Sequence, residues 1–125
     1  MNLLLDTHVF IWWMINDPGL SSDARNAIIN PKNTVYVSAV SAWEISIKKA
    51  LGKLSAPDNL EEELVKNRFK PLVITIPHAQ IAGGLPPIHN DPFDRLLIAQ
   101  AQVEGFTLVT RDKSIQLYSV KTLEA

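Results

Sequence analysis

The chain has 125 residues, 46% hydrophobic and 20% charged, the makeup of one folded domain, so general disorder is excluded. A formal net charge of -1 gives no bulk attraction to polyanions, and any nucleic-acid contact must be local. The absence of cysteine excludes a disulfide framework and a thiolate zinc site.

Asn2 to Leu5 is short, unbroken and apolar, the pattern of a buried strand. Thr7 opens a helical stretch over His8 to Ile15, and Asn16-Asp17-Pro18-Gly19 is a strong turn signal. A second helix is expected from Ser21 or Ser22 to about Asn30, before Pro31. β-branched and aromatic residues predict a strand over Thr34 to Val37. Val40, Trp43, Ile47, Ala50 and Leu51 recur at helical spacing, which predicts a helix from Ser38 or Ser41 to Gly52. Asp58 to Phe69 is expected as a charged surface helix and Leu72 to Ile76 as a strand. Residues 77 to 93 carry four prolines and two adjacent glycines, which predicts a short helix followed by a stiff loop. Pro92 to Glu104 reads as a helix packed by small residues, and Phe106 to Val109 as a strand. Asp112 is expected to open a helical turn before a last strand near Tyr118 to Thr122. Strands alternating with helices over residues 1–125 predict a single α/β domain, a three-layer sandwich with a central, mostly parallel sheet.

The amino-terminal run lacks the basic start of a signal peptide and is broken by Asp6. The longest later apolar run, Val9 to Ile15, is far short of the ~20 residues of a membrane span. The expectation is a soluble, cytoplasmic protein with no membrane partner. A helix over Val9 to Ile15 would be apolar on every side. Phe10, Trp12, Trp13 and Met14 must then be packed in the core or covered by a dimer mate or another partner.

Four acids carry the chemistry. Asp6 closes Leu3-Leu4-Leu5, Glu44 ends Ser38-Ala-Val-Ser-Ala-Trp-Glu, Asp94 lies in Asp91-Pro-Phe-Asp-Arg, and Asp112 follows Phe106-Thr-Leu-Val-Thr-Arg. In a parallel α/β sheet the carboxyl ends of strands and the amino ends of helices share one edge, where ligands bind. Carboxylates gathered there repel one another unless a cation sits among them. Magnesium and manganese prefer oxygen ligands, and four acids allow some to bind directly while others orient metal-bound water. Such a site can polarise a phosphoryl oxygen and supply hydroxide near neutral pH, as hydrolysis of a phosphodiester requires.

Each acid also has a structural explanation. Asp6 and Asp112 can cap helices, Ser41-Ala-Trp-Glu44 reads as a capping box, and Glu44 can pair with Lys48. Asp91-Pro92-Phe93-Asp94 offers a capping Asp, a proline at the first helical position and an acid in the first turn. Convergence of four acids on one edge favours the cation, and Asp91 is the residue that keeps a capping role. Arg95, Arg111 and Lys113 adjoin the acids and can meet phosphates or merely balance charge. Lys48, Lys49 and Lys53 line the polar face of the Glu44 helix, either as a guide for a polyanion or as a solvated face. His8, His78 and His89 lack a metal-binding spacing, and only His89, in the loop before Asp91, stands near the acids.

These stretches, extended through Asp94-Arg-Leu-Leu-Ile-Ala-Gln-Ala101, occur in an order and at a spacing that resemble PIN-domain ribonucleases of the VapC toxin type over nearly the whole chain. The resemblance implies a PIN-like fold and a magnesium- or manganese-dependent endoribonuclease that hydrolyses RNA. It also implies pairing with an antitoxin protein and a homodimer. The family's acidic positions fall on Asp6, Glu44, Asp94 and Asp112, with Thr110 at a polar position that supports the last acid. The helical pattern after Asp94 favours that residue as the ligand, with Asp91 beside it or capping. A receiver domain would need an acidic pair after the first strand, and a haloacid-dehalogenase-like phosphatase an acid where His8 stands. The alternative that remains is a non-catalytic PIN-like module that binds RNA or protein.

Overall fold

A computed structural model describes residues 1–125. Five strands form one sheet: β1 (Asn2–Leu5), β2 (Thr34–Ser38), β3 (Lys70–Leu72), β4 (Thr107–Thr110) and β5 (Thr122–Glu124). Their order is β3-β2-β1-β4-β5, and every neighbouring pair is parallel. The helices are α1 (Thr7–Met14), α2 (Ser22–Ile29), α3 (Ala39–Ala50), α4 (Leu60–Lys66), α5 (Ile76–Gly84) and α6 (Pro92–Glu104). From β1 the chain steps outward to β2 and β3, then crosses back to β4 on the other side of β1. The strand order therefore reverses between β1 and β4, and a crevice opens beyond their carboxyl ends.

The unbroken apolar run of β1 has a direct cause. Leu3 and Leu5 enter one core with Val9, Phe10, Val35, Val37 and Ile45, while Leu4 enters the other with Val40, Leu97, Ile98 and Leu108. Both faces of the central strand are covered, so alternation is absent. Leu4 is fully buried and pairs in register with Tyr36 and Leu108. Leu4→Ala is expected to cost about 2–5 kcal/mol, read from the denaturant midpoint. A loss below about 0.5 kcal/mol would mean that this core collapses around the gap.

Helix α6 runs over the predicted residues. Asp91 Oδ1 accepts from the N–H groups of Phe93 and Asp94 at 2.8 and 3.2 Å, and Gly105, at φ 72°, ends the helix in the left-handed region. Helix α1 is packed largely by its own chain. Phe10 is fully buried edge-on to Phe69, and the Trp13 indole N–H donates to Asn67 Oδ1 at 3.0 Å. Trp12 lies 4.4 Å beneath the Arg111 guanidinium, and Ile11 and Met14 are half-buried against the same core.

Three elements and one cap differ most from the sequence expectation. The third strand occupies Lys70–Leu72 rather than 72–76, because Thr75 and His78 form a reciprocal cap that draws Ile76 into α5. Helix α4 is shorter than expected and ends before Arg68, whose φ is 59°. The last strand lies at Thr122–Glu124, after a single 3-10 turn at Ile115–Leu117. The capping box expected at Ser41 and Glu44 is absent. Ser38 caps α3, accepting from the Val40 N–H at 3.0 Å, and Ser41 is buried one turn later, accepting from the Thr7 hydroxyl at 2.9 Å. No helix is long and apolar enough to cross a membrane.

Candidate metal centre at the carboxyl ends of the strands

Asp6 is the first residue past β1. Its N–H continues the ladder to the Val109 carbonyl at 3.1 Å, and its Oδ1 caps α1 by accepting from the Val9 N–H at 2.8 Å. The capping explanation therefore holds, yet it engages only one of the two carboxylate oxygens. Burial pushes the Asp6 carboxyl above its ordinary range, and the charge of Asp112 adds to the rise. The Thr110 hydroxyl and the Val9 N–H oppose that rise. Thr110 is fully buried, and its Oγ1 also accepts from the Asp112 N–H at 3.0 Å, so one hydroxyl links the ends of β1 and β4.

Glu44 sits in the second turn of α3 and is 2% exposed. Its Oε2 meets Lys48 Nζ at 2.6 Å, the pairing the spacing suggests, while Oε1 is buried without any partner. Asp94 lies in the first turn of α6. Its carboxyl is pushed up to about 7, first by burial and then by the negative charges of Asp91, Asp6 and Glu44, against a lowering pull from His89. Asp112 follows β4, and its Oδ1 accepts from the Ser114 N–H at 2.8 Å. Partial burial works to raise its carboxyl. The Ser114 N–H, His89 and the Ile115 N–H outweigh that effect and leave it below the usual range.

At the switch point Asp94 feels the charges of Asp91, Asp6 and Glu44, and Asp6 feels that of Asp112. His89 joins them, and its ring nitrogen and one oxygen each of Asp94 and Asp112 lie within 4.8 Å of one another. Most of the neighbouring cations are engaged elsewhere. Both terminal nitrogens of Arg95 donate to backbone carbonyls, and Arg111 stacks on Trp12 and donates to the carbonyls of Gly19 and Ala125. Of the two readings left open for these arginines, their engagement with backbone carbonyls favours a structural one over phosphate contact. Lys49 pairs with Asp58 at 2.7 Å, whereas Lys53 and Lys113 are exposed.

The residues suit a hard divalent cation. The donor set is carboxylate oxygen, which magnesium and manganese prefer. Lys48 meets Oε2 of Glu44, yet Oε1 is buried with no hydrogen-bond donor of its own. The Asp94 carboxyl is pushed up to about 7, first by burial and then by the negative groups that share the space.

An all-parallel sheet with acids gathered at its switch point is a PIN-like α/β architecture. The sequence profile of the PIN domain matches residues 3–121. Ribonuclease VapC22 of Mycobacterium tuberculosis (strain ATCC 25618 / H37Rv) is 33% identical over 122 residues, spanning 91% of this chain and 89% of that protein. Among solved structures, "Crystal structure of VapBC2 from Rickettsia felis bound to a DNA fragment from their promoter" contains a chain that superposes with a TM-score of 0.75 at 16% identity. That match covers 100% of this chain and 99% of the other. A chain in "Structure of FitAB bound to IR36 DNA fragment" gives a TM-score of 0.71 at 20% identity, covering 98% of this chain and 94% of its counterpart. At such identities these structures speak for the fold alone. The chain belongs to the PIN-domain family and, within it, is of the VapC type.

Proposed function

We propose that the chain is a divalent-metal-dependent endoribonuclease, the toxin of a toxin–antitoxin pair, with its site at Asp6, Glu44, Asp94 and Asp112. The observation that carries this reading is the buried, unpartnered Glu44 Oε1 in a cluster whose Asp94 carboxyl is held near 7. A chain that merely bound RNA or protein would have no need to gather this many carboxylates, one with a buried oxygen lacking a donor, at this edge. The reading also draws on the 33% identity to a protein named a ribonuclease and on the fold shared with toxin–antitoxin complexes. The inferred protein partner is an antitoxin, and the inferred assembly a homodimer.

Asp94 and Asp6 are the inferred direct ligands of magnesium or manganese, with Glu44 and Asp112 completing the set or orienting water. A cation bound there supplies Lewis acidity toward a phosphoryl oxygen and activates water. The chain's own residues set the geometry. Asp6 is fixed by the α1 cap and by Thr110, Asp112 by the Ser114 N–H, and Asp94 by the first turn of α6 behind the Asp91 cap. The amino ends of α1 and α6 add positive potential that favours the ionised acids.

Incubation of the purified protein with single-stranded and stem-loop RNA in Mg2+, in Mn2+ and in EDTA tests the proposal. Cleavage is expected with either cation and none with chelator. RNA retention without cleavage in any metal would favour the binding-module alternative.

A further inference from the structure

His89 is held with more care than a loop residue requires. On one side Arg95 Nη1 donates to the carbonyls of Pro86 and His89 at 3.0 and 3.1 Å, and Nη2 to those of Ala82 and Leu85 at 3.0 and 2.8 Å. On the other side the Tyr118 hydroxyl accepts from the His89 N–H at 2.8 Å and donates to the Pro86 carbonyl at 2.7 Å. The backbone over residues 85–90 is therefore tied both to α6 and to the segment that precedes β5.

The ring is oriented as well. His89 Nδ1 accepts from the Asp91 backbone N–H at 3.2 Å. A ring nitrogen that accepts carries no proton, so the imidazole hydrogen is on Nε2. That nitrogen lies 3.0 Å from Asp112 Oδ2, its hydrogen-bond acceptor, and 2.9 Å from Asp94 Oδ2. The N–H is directed to Asp112, with Asp94 alongside, which leaves Nε2 no lone pair for a metal. Asp112 follows β4 and Asp94 belongs to α6, so one ring spans acids from two separate elements.

We propose that His89 is a positioning residue for the cation site: its Nε2–H holds the Asp112 carboxylate against Asp94, whose Oδ2 lies 2.9 Å from the same nitrogen, while the ring stays outside the coordination sphere. The inference rests on the reading of the acids as a cation site, for which Glu44, 2% exposed, close enough to act on Asp94 and with Oε1 lacking a donor, is the second observation. A donor that orients ligating carboxylates has a predictable effect on affinity. Its loss typically weakens metal binding by about 10–100-fold without removing any ligand. Gln can present an N–H at similar reach, whereas Ala cannot.

The test is Mn2+ binding to the intact protein, followed by the paramagnetic resonance of the free ion, for wild type, His89→Ala, His89→Gln and Tyr118→Phe. His89→Ala is expected to lose about 10–100-fold in affinity. His89→Gln should recover most of that loss, and electron-spin-echo spectra of the wild-type complex should lack nitrogen coupling from a directly bound imidazole. Tyr118→Phe keeps the ring but unties its loop, and it should weaken binding in the same direction. It carries the test alone if the Ala variant fails to fold. Unchanged affinity in the Ala or Phe variant, a Gln variant as weak as Ala, or strong nitrogen coupling would each overturn the proposal. Absence of saturable Mn2+ binding in the wild type would instead remove the cation site itself. Saturable binding indifferent to His89 would leave the site standing and sink only this role.

Discussion

Asp94→Asn is expected to reduce RNA cleavage at saturating Mg2+ by about a thousandfold or more, because it removes a ligand charge that several kcal/mol of transition-state stabilisation would depend on. The same substitution is expected to stabilise the metal-free protein at neutral pH. The Asp94 carboxyl rises in the fold from 3.8 to about 7, so the fold disfavours its ionised form. A group raised in this way contributes stability that is fully present below about pH 4 and is lost as pH climbs through 7. Asp6, also raised, acts in the same direction. Asp112, which is lowered, acts in the opposite direction, and its window lies below pH 4. Metal-free wild type should therefore melt at progressively lower temperature from pH 4 to pH 8, and Asp94→Asn should flatten that decline. Saturating Mn2+ should restore the wild type more than the variant. A variant that cleaves RNA normally, or a wild-type melting temperature that rises over this range, would contradict the assignment.

Glu44→Gln separates charge from structure at the second turn of α3. Gln preserves the shape of the buried side chain and gives up the ion pair to Lys48, a helical i,i+4 contact worth about 0.3–0.5 kcal/mol where exposed. Stability by denaturant titration should stay within about 1 kcal/mol of wild type. Cleavage should fall by about 100-fold or more if the negative charge serves a cation. Near-normal cleavage would mean that Glu44 does no more than pair with Lys48.

Much of the architecture was legible because local signals agree with the global fold. The unbroken Leu3-Leu4-Leu5 run marks a strand covered on both faces, and Asp91-Pro92 marks the start of α6 to the residue. The four acids were found by their places after strands and near helix starts, and the parallel sheet brings those places to one edge. What the sequence hid was set by contacts distant along the chain. Ser41 reads as a cap by local rule, yet its hydroxyl meets Thr7 at the start of α1. His78 caps α5 in the position where Glu or Gln is the familiar signal, so Ile76 reads as strand although it starts that helix. Tyr118 carries no motif and Arg95 reads only as a cation beside the acids, and their work on the 85–89 loop depends on carbonyls that only the fold brings within reach. For His89, proximity to Asp91 in sequence was the one available hint.

The central claim is that the acids share one cation, and a crystal structure of the protein soaked in Mn2+ tests it most directly through anomalous scattering. The account predicts a single strong peak at the carboxyl ends of β1 and β4, with oxygens of Asp94 and Asp6 bound to it and Glu44 and Asp112 within reach of its ligands. Manganese bound only elsewhere, or a cluster that stays closed around His89 with no ion at saturating concentration, would contradict it.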